Sequence, residues 1–252
     1  VFDAGCETAL LGCPPVRSIL DVCARANRLT GGLFDPTVGS VSRLWDFDGG
    51  GVVPDPDSLT VALSHIGLGR LLALEGPPAS GQFVLDLGGV AKGHAVDLAS
   101  AAVRRLGFRS AIINAGGDMR LVGRRPDGKP WRIAVRHPRR PDQFIGYLEL
   151  EDCAVATSGD YERCFFIDGK RYHHILDPRT GMPGERSVSV TVVGPEAAWC
   201  DALATGLFLL GPREGARALE ALPGIGAVFV YADGESLTVS DGLAGRFERC
   251  LQ

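Results

Sequence analysis

The chain has 252 residues, 45% hydrophobic and 22% charged, with 26 Lys+Arg against 30 Asp+Glu and a formal net charge of −4. At roughly 150 residues per domain this is one large domain or two small ones, too apolar for a disordered chain and too charged for a polytopic membrane protein. The acidic balance and the lack of a long Lys/Arg run argue against nucleic-acid binding.

In chain order, apolar spacing predicts a helix over 16–29, closed by Gly31. A short strand over 83–87 feeds Gly88-Gly89, and helical spacing over 90–106 ends at Gly107. Strands are predicted over 110–114, 131–135, 146–150 and 154–157. Strands over 164–167 and 172–176 flank Asp168-Gly169, a hairpin turn. The segment 187–193 reads S-V-S-V-T-V-V, the cleanest strand in the chain. Helices over 197–210 and 213–222 follow, then a hairpin of 228–231 and 236–239 around Asp233-Gly234. Strands outnumber helices and many neighbours are hairpins, so an α+β fold with mostly antiparallel sheets is expected rather than a doubly wound one. With no repeat, low-complexity segment or linker, 1–252 reads as a single domain.

The seven cysteines, Cys6, Cys13, Cys23, Cys153, Cys164, Cys200 and Cys250, are odd in number and contain no C-x-x-C. Neither a zinc ribbon nor a disulfide scaffold reads that way. Scattered thiols suit a reducing compartment, so the cytoplasm is expected, with the outer face of the cell membrane as the alternative. No stretch reaches the roughly 18–20 apolar residues of a membrane span. The chain opens on Val1, which leaves room for an upstream segment.

Four motifs could carry chemistry. The run D-L-G-G-V-A-K-G from Asp86 passes from strand through a glycine turn into a helix. Free N–H groups, the positive helix end and Lys92 there suit a phosphate, although a tight turn with an exposed lysine explains the pattern as readily. Asn114-Ala115-Gly116-Gly117-Asp118 repeats the glycine logic after a second strand, and a β-turn explains it nearly as well. On the helix 197–210, Asp201 and Thr205 stand four apart on one face, an oxygen pair suited to Mg²⁺. The competing account makes Asp201 a first-turn charge and lets Thr205 bond back to a carbonyl. In His173-His174, adjacent strand residues face opposite ways, so at most one can serve a site as general base.

Together and in this order these segments resemble the ApbE family, flavin transferases that move FMN from FAD onto a protein threonine. The matching stretches are T-G-G-L-F-D-P-T-V-G-S-V-S-R-L-W-D-F (30–47), D-L-G-G-V-A-K-G-H-A-V-D (86–97), N-A-G-G-D (114–118), A-T-S-G-D-Y (156–161), H-I-L-D-P-R-T-G (174–181) and 187–211. The resemblance implies an ApbE-like (T-fold-like) domain and Mg²⁺-dependent protein flavinylation that releases AMP, with Mn²⁺ as the alternative metal. It implies that Leu33, Phe34, Asp35, Asp86, Lys92 and Leu176 contact FAD. Gly89, through its carbonyl, with Asp201 and Thr205, would hold the metal, and His174 would be the base. Some relatives carry a further aspartate where this chain has Ala204. The implied partners are FAD and an acceptor protein bearing a threonine. A membrane would enter only through an upstream anchor in the family's N-terminal portion, or through a membrane-bound acceptor. A metal-dependent FAD pyrophosphatase using the same residues, or a non-catalytic FAD-binding protein, are the alternatives.

Overall fold

The computed structural model describes residues 1–5 and 11–250; Cys6 lies outside them. The architecture is α+β, as expected. A six-stranded sheet, wholly antiparallel, runs in the order β12-β11-β10-β7-β4-β3. Its strands are β3 (Ala111–Ala115), β4 (Asp118–Val122), β7 (Ala154–Gly159), β10 (Ser187–Gly194), β11 (Gly226–Tyr231) and β12 (Leu237–Val239). One face carries the helices α1 (Pro14–Leu29), α5 (Ala91–Arg105), α6 (Ala197–Leu210) and α7 (Pro212–Leu219). The other face packs on a three-stranded sheet of β13 (Phe247–Arg249), β6 (Phe144–Leu150) and β5 (Trp131–Arg136).

Alternation along β10 explains why its sequence is apolar almost throughout. Val190 and Val192 face the helices, while Val193 faces the second sheet, so both faces are buried. Helix α6 lies in the centre of the helical layer, and twelve of its residues, Asp201 among them, are buried. An all-round apolar sequence is what such a position requires.

Most expected elements appear within two residues of their forecast ends. The strand expected over 83–87 shortens to β2 (Val84–Leu85), paired with β1 (Phe2–Asp3). The strand expected over 172–176 is replaced by β9 (Lys170–His173), paired with β8 (Cys164–Ile167) around Asp168-Gly169, both at positive φ. His174 therefore lies just past the strand, where its N–H turns back to the Arg163 carbonyl at 3.2 Å. Short helices α2 (Gly39–Ser42), α3 (Pro56–Ser64) and α4 (Leu68–Leu72), and strands β1, β4 and β13, were not foreseen. The six described cysteines are free thiols. Among the described residues no helix is long and apolar enough to cross a membrane.

Candidate functional site

A cavity of about 730 Å³ opens beside the six-stranded sheet, and every residue to which the family resemblance gives a role lines it: Leu33, Phe34, Asp35, Asp86, Gly89, Lys92, His174, Leu176, Asp201 and Thr205. Its size is within the usual range for small-molecule sites. At least five separate stretches of chain converge here, each for a local reason.

The first stretch is the loop after α1. The Asp35 carboxylate accepts Thr37 N–H at 2.9 Å and Leu68 N–H at 2.9 Å, with the Thr37 hydroxyl at 2.5 Å and Asn27 at 3.3 Å. It thus ties the turn Pro36–Val38 to the start of α4. These contacts occupy both oxygens, so Asp35 shapes the wall more than it offers a free charge. Trp45 and Phe47 stack at 5.4 Å on the same side of the cavity, and the Trp45 Nε1–H donates to the Gly181 carbonyl.

The second is the turn between β2 and α5. Asp86 accepts Gly88 N–H at 2.9 Å and the Ser42 hydroxyl at 2.8 Å. A Cβ built on Gly89 would stand 3.0 Å from Thr205 Oγ1 and 3.3 Å from the Phe34 ring, so bare backbone is what lets α6 and the turn meet. Lys92 is in the first turn of α5, as expected, but it is no free charge: its ammonium pairs with Asp118 and lies 3.5 Å from Asp201 Oδ1.

The third is α6. Asp201, 3% exposed, accepts the N–H of Gly93, an amide in the first turn of α5 that has no partner within its own helix. Thr205 Oγ1 meets Ser158 Oγ at 3.1 Å, where a back-bonded carbonyl was the competing expectation. The Thr157 and Thr191 hydroxyls meet at 2.9 Å alongside. Burial, reinforced by the neighbouring Asp118 charge, pushes the Asp201 carboxyl up to about 7 even with Lys92 beside it. Asp118, also pushed up by burial, is the fourth contribution, from β4. Burial opposes the Lys92 charge, but Asp201 and Asp118 outweigh it and raise the ammonium's pKa.

The last stretch holds His173 and His174, which do face opposite ways. His173 is buried at 4% exposure; its Nε2 donates to the Gly184 carbonyl at 2.8 Å, its Nδ1 accepts Ile175 N–H, and its ring meets Phe208 edge-on. His174 lines the cavity. Its Nδ1 lies 3.3 Å from the Arg163 carbonyl, which can only accept, so Nδ1 carries the proton and Nε2 keeps its lone pair. Burial pushes this imidazole down to about 4, leaving it neutral at pH 7.

The donor chemistry suits a hard divalent cation. Asp201, Thr205 and the Gly89 carbonyl present only oxygen, and the buried carboxylates outnumber the one ammonium between them. Among the described residues no three His, Cys, Asp or Glu side chains form a metal cage, so a cation here would rest on one carboxylate and neutral oxygens. Sequence reasoning passed over Asp118, Ser158 and Trp45 as site residues. The signals were present in G-G-D, A-T-S-G and L-W-D-F, but spacing alone does not show that these strands and loops meet.

Comparison with known proteins follows the same lines. The sequence pattern of the ApbE family matches residues 11–229. The FAD:protein FMN transferase of Vibrio cholerae is 37% identical over 81% of this chain and 63% of its own length. That of Treponema pallidum is 34% identical over 86% and 65%. The crystal structure of the ApbE protein from Thermotoga maritima matches with a TM-score of 0.83 at 35% identity, over 93% of this chain and 78% of that one. Flavin transferase ApbE from Vibrio cholerae matches at 0.81 and 33% identity, over 93% and 77%. The chain spans just under two thirds of the length of these curated relatives. It belongs to the ApbE family.

Proposed function

We propose that this chain transfers FMN from FAD to a threonine hydroxyl of an acceptor protein and releases AMP. The relatives named FAD:protein FMN transferase support the reaction class. The observation that carries the reading is the placement of a neutral, singly protonated His174 and the Asp201–Thr205–Gly89 oxygen set in the wall of one cavity.

In this reaction the threonine oxygen attacks the FMN phosphorus, the bond to the AMP phosphate breaks, and AMP departs with the electron pair. His174 Nε2 accepts the hydroxyl proton as the new phosphorus–oxygen bond forms. Lys92 and the Gly89 amide, which line the cavity, would balance the pyrophosphate charge. Leu33, Phe34, Asp35, Asp86 and Leu176 line the space for the rest of FAD, and their packing would keep water from the reacting phosphorus. Asp201, Thr205 and the Gly89 carbonyl would hold Mg²⁺ or Mn²⁺. Such an ion polarises a phosphoryl oxygen and stabilises the leaving phosphate.

Incubating the protein with FAD and Mg²⁺, with and without a threonine-bearing acceptor, tests the reading. AMP release that depends on the acceptor is the expected result. Equal release without acceptor would make the chain a pyrophosphatase, and no release in either case would make it a binder.

A further inference from the structure

Two buried carboxylates face one ammonium in the cavity wall. Lys92 Nζ is in contact with Asp118 Oδ2 and 3.5 Å from Asp201 Oδ1. The side chains of Asp118 and Asp201 are 2% and 4% exposed, whereas that of Lys92 is 49% exposed. Neither carboxylate is free to move. Asp118 opens β4, one strand in from the edge of the sheet, opposite Ala115, and its Oδ1 accepts the Thr157 N–H. Asp201 is held through Oδ2 by Gly93 N–H, which leaves Oδ1 as its outward oxygen. The long lysine is the adjustable partner, and the structure has it docked on Asp118.

We propose that Asp118 is a positioning residue that keeps Lys92 off Asp201, so that Asp201 stays available to a divalent cation. The proposal rests on the cation reading of the site given above. A full ammonium and a divalent cation on the same carboxylate oxygen repel each other strongly in a buried setting. Asp118 gives the ammonium a second buried counter-charge one side-chain swing away, so the cation can load without expelling Lys92 from the cavity. Without Asp118, the buried carboxylate left within reach of Lys92 is Asp201, and lysine and cation compete for it. Asp118 touches neither FAD nor acceptor in this scheme; it acts through Lys92.

The test is Mn²⁺ binding by the full chain without FAD, read from the electron paramagnetic resonance of free Mn²⁺. Asp118→Asn keeps the side chain's size and the oxygen that meets Thr157, and melting curves check that it folds. We expect it to weaken Mn²⁺ about tenfold, in line with coupling between contacting groups. Lys92→Met, which removes the competitor, should bind Mn²⁺ more tightly than wild type. The double variant should recover affinity to wild-type level or better, a reversal that a merely structural role for Asp118 would not produce. The proposal is overturned by an Asp118→Asn chain that binds Mn²⁺ like wild type, or by a double variant as weak as the single one. Should Asp118→Asn fail to fold, Lys92→Met alone decides, because unchanged or weaker binding overturns the competition. A wild-type chain that binds no Mn²⁺ removes the cation reading itself, an outcome separate from these.

Discussion

Asp97 on α5 closes the N-terminus of α6 at Ala197. One carboxylate oxygen accepts Ala197 N–H and the other Ala198 N–H, each at 2.9 Å. Glu196, the residue preceding α6, makes no side-chain cap of its own, so the cap comes from a neighbouring helix. One turn back on α5, Gly93 donates to Asp201. The two contacts fix the register of α6 against α5, and with it the place of Asp201 in the cavity.

Asp97→Ala is therefore expected to lower stability by about 1–2 kcal/mol, the usual effect of losing an N-terminal cap. Asp97→Asn, which keeps one acceptor oxygen, should lose less. Urea denaturation of both variants checks the order, and an Asp97→Ala chain as stable as wild type would show that the cap carries no weight.

Gly93 gives a sharper case. A Cβ at this position would stand 2.3 Å from the Ala197 carbonyl oxygen and 2.7 Å from the Ala198 Cα, both backbone atoms that cannot swing away. Gly93→Ala should cost about 1–3 kcal/mol by overpacking. It should also weaken divalent-cation binding, because the helices must separate where Asp201 is held. A melting curve with Mn²⁺ titration on one sample reads both effects.

How much of this could be read from the chain depends on which forces act locally. The period of α1, α5 and α6 and the alternation of β10 follow from burial of one or both faces, so they were legible. Helices α2 and α4 were not, because they are single turns held by tertiary bonds: the Ser40 hydroxyl reaches the Ala62 carbonyl, and Asp35 reaches Leu68 N–H. Helix α3 was passed over although its start is marked locally, by the Asp55 cap on Ser58 N–H and by Pro56. The short spacings in Asp201–Thr205 and His173–His174 gave the right faces. What no spacing could show is the union of Lys92 with Asp118, 26 positions apart, which turns an expected free phosphate-binding charge into a shared one.

That sharing bears on FAD. We expect FAD to bind far better than riboflavin, which lacks phosphates. Lys92→Ala should narrow the gap by about 1 kcal/mol, less than an undivided charge-assisted hydrogen bond contributes, because the ammonium is shared among several partners. Calorimetry with both ligands measures it, and equal affinities in wild type would contradict a phosphate-reading cavity. Asp201→Asn should leave FAD binding in place and remove most cation-dependent AMP release; full activity at limiting Mg²⁺ would remove Asp201 from the metal site.

The histidine pair separates structure from chemistry. His173 has both ring nitrogens engaged and sits against Phe208, so His173→Ala should lose about 1–3 kcal/mol of stability through unsatisfied partners and lost packing. It is not the silent control that its position facing away from the cavity would suggest. His174→Ala should instead keep its fold and FAD affinity while transfer falls about 10²–10⁴-fold. The pH dependence provides an independent check. The imidazole of His174 is pushed by burial from 6.5 down to about 4, so the unfolded chain binds its proton first. The contribution of His174 is thus intact above pH 6.5 and is lost as the pH falls towards 4. Asp201, raised to about 7, changes stability in the opposite sense over an overlapping range. The difference between wild type and His174→Gln isolates the histidine, since Asp201 and His173 are common to both. Wild type should lose on the order of 2 kcal/mol relative to the variant between pH 7.5 and pH 4, allowing for the ring's partial exposure to the cavity. Parallel stability curves would mean that His174 is freely solvated, and a fully active His174→Ala chain would remove it from proton transfer.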